Sequence, residues 1–310
     1  MKIAVVGSGA IGCYYGGKLV ASGQDVHFLM RRDLPELRRA GLRIRGPGED
    51  IQLPEINCYA STHEIGASDI VLVAVKTTSN DDLPELLPPL VSEHTMIVTL
   101  QNGLGNEEYL ANHFGAKRIA AGLCFIGVRR TAPGTIVRDD HGQVILGGYE
   151  RKPEQLIHAL AAALRQSGID CRVTEDLAME RWRKLVWNIP FNGLSIAAGG
   201  VDTATILGDP ELFRATRALM YEVIAAANKC GFSLERATAD EQLRLTKTVG
   251  RYKPSTLLDF EGGNPLEIES IWGEPLRRAV AAGAEVPRLQ QLYALLKSLD
   301  KSRRNIANDE

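Results

Sequence analysis

Two groups of residues in this sequence have types and spacings that could do chemistry. The first lies in residues 180–192, ERWRKLVWNIPFN. On a helix Lys184, Asn188 and Asn192 fall at i, i+4 and i+8 and stack along one face. A surface face would normally mix carboxylates with lysines, whereas this one carries an ammonium and two carboxamides. Trp182, Leu185, Val186 and Ile189 form a separate apolar stripe, and Pro190 is expected to interrupt the helix. A polar cleft is one reading of this face. The other is a surface lysine whose stem lies over Trp182 and Leu185.

The second group opens the chain. Ile3, Ala4, Val5 and Val6 form the apolar run of a strand buried on both faces. The loop Gly7, Ser8, Gly9, Ala10, Ile11 and Gly12 follows at once, in G-x-G-x-x-G spacing, and an amphipathic helix is predicted over 13–22. In this context Gly7 permits the tight turn, Gly9 admits backbone close to a pyrophosphate, and Gly12 lets helix and strand pack closely. The orphan N–H groups of the helix start then face the phosphates, so dinucleotide binding is expected.

The next predicted strand, 25–30, ends at Arg31 and Arg32, with Asp33 only afterwards. An NAD-binding unit usually carries an acid there for the ribose 2′-hydroxyl. Arginine instead offers a planar charged fork for a 2′-phosphate, which favours NADP(H), although arginines also suit a solvated strand end. Short β pieces are expected over 42–58, with a turn at Gly46-Pro47-Gly48. Further strands are predicted over 70–75, 96–100 and 119–128, and helices over 106–114 and 153–167. Residues 81–91 are broken by prolines, and Pro153 suits a first helical turn. Residues 135–138 and 144–146 read as an antiparallel pair. Lys76 and Asn102 stand after the third and fourth strands, where an open parallel sheet binds its ligand, or are plain loop residues. This alternation implies a doubly wound parallel α/β sheet, a Rossmann domain over 1–174.

From residue 175 to 310 strand-like runs give way to helical periodicity, with helices expected over 177–196, 210–230, 236–248, 255–260, 265–282 and 288–299. A second, all-helical domain follows, and the polar stretch 301–310 is expected to fray. At 310 residues the chain is long for a single core, which suits two domains. A net charge of −2 offers no basic field for nucleic acid. No apolar run approaches membrane-spanning length, and no signal peptide fits ahead of a strand beginning at residue 2. The five cysteines are scattered without metal-ligand spacing, so neither a disulfide framework nor a metal site is expected. These features together suggest a cytoplasmic protein.

Several motifs resemble the ketopantoate reductase (2-dehydropantoate 2-reductase) family. They are GSGAIG, Lys76 in VAVKT, Asn102 in QNG, the W-R-K-L-x-x-N run with Asn192, 254–259 (PSTLLD), and Glu267 in PLEIES. The resemblance implies a Rossmann domain followed by a helical domain like that of 6-phosphogluconate dehydrogenase. It also implies hydride transfer from NADPH to the C2 ketone of a branched 2-oxo acid in pantothenate biosynthesis. Lys184 would be the general acid, and Glu267 would hold the substrate's hydroxyl and orient Lys184. Asn188 and Asn192 would fix substrate, with Ser255 near its carboxylate. Asn102 would orient the nicotinamide, Arg31 and Lys76 would serve the adenosine phosphate end, and backbone near Val128 would touch the cofactor.

From the residues alone, Asn264-Pro265-Leu266-Glu267 reads as N-cap to N3 of a capping box, and Ser255 as an ordinary helix-start hydroxyl. Two departures bear on substrate. Trp272 stands where the family's ketopantoate enzymes commonly have asparagine before glycine. Asp202 stands where an asparagine reaches substrate, and a carboxylate there would repel an anion. The alternatives are a paralogous NADPH-dependent reductase of another 2-oxo acid and a non-catalytic NADP(H) sensor. The sensor would need a lost proton donor, whereas Lys184 and Glu267 are both present. No oligomeric state is legible in the sequence; a homodimer is compatible with it.

Overall fold

A computed structural model describes residues 1–31, 33–139 and 142–309. They form two compact units, one of Met1–Gln101 with Asn106–Leu177, the other of Asn102–Gly105 with Ala178–Glu310.

The first unit is built on twelve described strands: β1 (Lys2–Val6), β2 (Asp25–Leu29), β3 (Leu42–Gly46), β4 (Glu49–Leu53), β5 (Asn57–Tyr59), β6 (Ile70–Val73), β7 (Met96–Thr99), β8 (Ile119–Phe125), β9 (Val128–Ala132), β10 (Thr135–Arg138), β11 (Gln143–Gly148) and β12 (Asp170–Val173). Eight make one sheet in the order β12-β11-β8-β7-β6-β1-β2-β5. From β8 to β5 neighbours pair in parallel, while β11 runs antiparallel to β8 and pairs in parallel with β12. The strand order reverses at β1, so the glycine loop leaves the sheet at its topological switch point.

Burial explains why the strand runs are apolar throughout. Ile3 and Val5 pack on one face, with Leu19 of the Ala10–Ala21 helix and Leu160 of the Gln155–Gln166 helix. Ala4 and Val6 pack on the other, with Leu83, Leu87 and Leu110. A second sheet, in the order β4-β3-β10-β9, covers the outer side of the Ala10–Ala21 helix. Two adjacent glycines make that sandwich dense: a Cβ on Gly16 would strike Phe28 of the main sheet, and one on Gly17 would strike Leu42 and Ile44 of the second.

Three local expectations for this unit need correction. The run 119–128 is two strands, because β8 ends at Phe125 and β9 begins in the other sheet at Val128. Residues 135–138 and 144–146 do not pair: β10 joins β3 and β9, and β11 joins β8 and β12. β10 folds back on its neighbour β9 and takes the distant β3 on its other side, a choice that a hydrophobic pattern does not encode. Pro153 precedes its helix, whose N-cap is Glu154.

All described elements after β12 are helical: Leu177–Ala197, Thr203–Gly208, Pro210–Lys229, Ala237–Val249, Ser255–Glu261, a π-helical turn Glu269–Gly273 leading into Glu274–Ala281, and Pro287–Asp309. Trp182, Leu185, Val186, Ile189 and Trp272 lie in the core of this unit. The Leu177–Ala197 helix runs on through Pro190 instead of stopping there. The expected helix over 265–282 begins only after Glu267, because residues 264–267 are irregular. The stretch after 301 continues the last helix to Asp309. Arg303 secures it by donating to the carbonyl oxygens of Phe260 at 2.7 Å and Asn264 at 2.6 Å.

Candidate functional site

The glycine turn is shaped by contacts that a side chain would destroy. Gly7 has φ +105°, and a Cβ there would strike the backbone of Ala74 and Val75 just past β6. A Cβ on Gly12 would strike the carbonyl oxygen of Gly7. Gly9 is the opposite case: it is exposed, with nothing within 4 Å of its Cβ position. It is also the N-cap of the Ala10–Ala21 helix, whose first turn carries no acidic residue. An uncapped helix start with open space beside Gly9 fits a pyrophosphate. Ala10 and Ile11, half-buried, begin the helix, and Ser8 Oγ donates to the Leu29 carbonyl at 2.5 Å, tying the turn to β2. The Cys13 thiol donates to the Ser8 carbonyl at 3.2 Å, and burial pushes its pKa up to about 12, so it stays protonated.

Arg31 is exposed past β2, and its Nη2 lies 3.1 Å from Asp82 Oδ2. Asp82 closes the 3₁₀ segment Thr77–Asp82, and the exposed Lys76 is that segment's N-cap, so the two cations bracket one short turn. Arg32 lies outside the described residues. Val128 opens β9, two positions before Arg130, which pairs with Asp33.

In the helical unit, Lys184, Asn188 and Asn192 keep their one-face spacing and are 8%, 7% and 2% exposed. That burial is too deep for a lysine lying over a surface stripe. Lys184 Nζ donates to Asn102 Oδ1 at 2.8 Å. The loop carrying Asn102 is held at two points. Gln101 Nε2 donates to the Val75 carbonyl at 3.1 Å and to Asn80 Oδ1 at 2.7 Å. Leu104 N donates to the Ser270 carbonyl at 2.9 Å. Gly103 between them has φ +84°, and a Cβ there would strike the Ser270 backbone.

Asn192 Nδ2 donates to the Asn188 carbonyl at 3.0 Å, and its Oδ1 accepts from Thr256 N at 3.2 Å. Its carboxamide thereby ties the lysine helix to the start of the Ser255–Glu261 helix, where Ser255 is exposed. Glu267 is 5% exposed, and its carbonyl accepts from Ile271 N at 3.2 Å. The capping-box reading fails, because Asn264 to Glu267 are not in a helix that Asn264 could cap.

Both departures turn out to have structural duties. Trp272 is fully buried within the π-helical turn, and its Nε1 donates to the Ile189 carbonyl at 3.0 Å, one residue before Pro190. Asp202 is the N-cap of the Thr203–Gly208 helix: Oδ1 accepts from Thr205 N at 2.8 Å and from its Oγ1 at 2.9 Å. The bond from the Thr205 backbone leads the interactions that hold this carboxyl below the usual range. No local sequence pattern marks a role for Gly103, Gln101 or the Arg130–Asp33 pair. Only the neighbourhood of Gly103 to Asn102 in QNG hinted at any of them.

Chemically, the helical unit presents a buried ammonium aligned by a carboxamide, with further amides on the same face and a buried carboxyl, Glu267, just ahead of the turn where the Asn102 loop docks. Among the described residues no group of His, Cys, Asp and Glu could hold a metal ion. No described helix is long and apolar enough to cross a membrane.

Residues 3–151 match the family described as ketopantoate reductase PanE/ApbA, and residues 176–300 match its C-terminal counterpart. A 2-dehydropantoate 2-reductase of a Nostoc species is 37% identical over 308 residues, covering 96% of this chain and 95% of that protein. A crystal structure of 2-dehydropantoate 2-reductase from Geobacter metallireducens superposes with a TM-score of 0.94 at 44% identity, covering 96% of this chain and 99% of that one. Another, from Methylococcus capsulatus, gives 0.90 at 35% identity, with 98% of each chain covered.

Proposed function

Because the chain belongs to the ketopantoate reductase family, we propose that it reduces 2-dehydropantoate to pantoate with NADPH, serving pantothenate biosynthesis in the cytoplasm. The observation that carries this reading is the buried Lys184 ammonium, aligned at 2.8 Å by Asn102 Oδ1. In this assignment the Rossmann unit holds NADP(H) and the helical unit holds the substrate and its proton donor.

The glycine turn supports the cofactor assignment, since Gly9 leaves open the space a pyrophosphate needs and the helix start behind it is uncapped. When bound, the nicotinamide supplies the hydride that reaches C2 of the ketone. Lys184 Nζ holds a hydrogen bond to the ketone oxygen and passes it a proton as negative charge develops there. Asn102 fixes the direction of that ammonium and, in this reading, would orient the nicotinamide. Glu267 accepts the substrate's hydroxyl, Asn188 and Asn192 hold the substrate along the lysine face, and Ser255 donates to its carboxylate. At the other end of the cofactor, Arg31 and Lys76 would take the adenosine phosphates, and the backbone at Val128 would touch the cofactor.

Trp272 packs in the core and Asp202 caps a helix, which supports ketopantoate over another 2-oxo acid. The test is NADPH oxidation against a panel of 2-oxo acids. Turnover of ketopantoate far above the others is expected. A better substrate elsewhere in the panel would shift the reading to a paralogous reductase, and NADPH binding without any turnover would shift it to a sensor.

A further inference from the structure

We propose that Arg130 is a second guanidinium that reads the ribose 2′-phosphate, acting beside Arg31 to select NADP(H); this rests on the cofactor assignment above. Asp33 is the first carboxylate after β2, close to where a dinucleotide fold keeps its acid for an unphosphorylated ribose. Asp33 is also the N-cap of the Leu34–Ala40 helix, a position at which aspartate normally bonds the helix's own N–H groups. Here its side chain makes no capping bond. It pairs with Arg130 instead, so its charge is matched and one of its oxygens is engaged.

The exposures are unequal in a telling way: the Asp33 side chain is 15% exposed and that of Arg130 is 45% exposed. The acid is covered while the guanidinium keeps donors in the open, which suits a phosphate and not a 2′-hydroxyl. Arg130 reaches this place because β9 is the outer strand of the second sheet and lies beside the Ala10–Ala21 helix. Cys13, in the first turn of that helix, is within reach of the charges of both Arg130 and Asp33. Its neighbour Arg129 alternates to the other side of the strand and bonds Asp139 at 3.3 Å.

The experiment is calorimetric titration, without turnover, using adenosine 2′,5′-bisphosphate and 5′-AMP. The unaltered protein is expected to prefer the bisphosphate. Arg130→Ala should remove about tenfold or more of that preference while leaving 5′-AMP affinity in place. Arg130→Lys, which keeps the charge but loses the fork, should remove part of it, and Arg129→Ala none. Full preference retained in Arg130→Ala overturns the role of Arg130, as does equal weakening toward both ligands. Absence of any preference in the unaltered protein overturns the NADP(H) assignment itself, a separate failure.

Discussion

A lysine with 8% of its surface exposed must have its charge compensated by neighbours, and Asn102 Oδ1 at 2.8 Å is one such neighbour. That burial separates Lys184 from an ordinary surface lysine and gives its proton a fixed direction. Lys184→Ala should lower kcat by about 10²–10³-fold, the usual effect of losing a donor aimed at a developing oxyanion, while NADPH still binds. Steady-state kinetics with a parallel NADPH titration would check this, and near-normal turnover would remove Lys184 as the acid. Arg31 is exposed and pairs with the exposed Asp82, so a phosphate can compete for it. Arg31→Ala should raise KM for NADPH by about tenfold and leave KM for NADH nearly unchanged. Equal changes for the two cofactors would contradict a 2′-phosphate role.

At the scale of elements, the decisive piece is the π-helical turn Glu269–Gly273, which follows Glu267 and serves two other segments. Its Ser270 carbonyl receives Leu104 N and so seats the Asn102 loop, while its Trp272 donates to Ile189 on the lysine helix. π-Turns of this kind often mark functional sites, because the widened turn frees carbonyls for outside donors. Trp272 Nε1 and Asn192 Nδ2 donate to the carbonyls of Ile189 and Asn188, just ahead of Pro190, and the helix passes through the proline without ending. Gly103→Ala should push the loop off Ser270 and pull Asn102 from Lys184. The expected result is a loss of kcat of ten- to a hundredfold, on the order of a 1 Å misplacement, with the Rossmann turn still binding nucleotide. Unchanged kcat would mean that Asn102 does not orient the ammonium.

At the scale of the molecule, each unit has its own core and its own anchoring of distant chain. In the first unit Glu49 receives Lys18 and, at 3.3 Å, Arg138 Nε, with all three side chains about one-tenth exposed. This knot ties the Ala10–Ala21 helix to both β4 and β10. Glu49→Ala would remove the buried anion that Lys18 and Arg138 share and should cost about 3 kcal/mol. Faster amide exchange across β3, β4 and β10 would report it. In the helical unit Arg303 does comparable work, holding the last helix to the carbonyls of Phe260 and Asn264.

The sequence by itself determined what short-range spacing can carry. The G-x-G-x-x-G turn after a buried strand, the strand–helix alternation and the Lys184–Asn188–Asn192 face all follow from periodicities of two or about 3.6 residues. The family motifs were legible for the same reason, as local strings from GSGAIG to PLEIES. Tertiary structure alone decided which distant groups meet. Lys184 finds Asn102 across 82 positions, Trp272 finds Ile189 across 83, and Arg130 finds Asp33 across 97. It also moved Val128 to 132 into a second sheet and turned Trp272 and Asp202 from doubts about substrate into packing and capping. Hydrophobic patterning says which face of an element is buried; what lies against that face is set by the competition of whole elements for the same core.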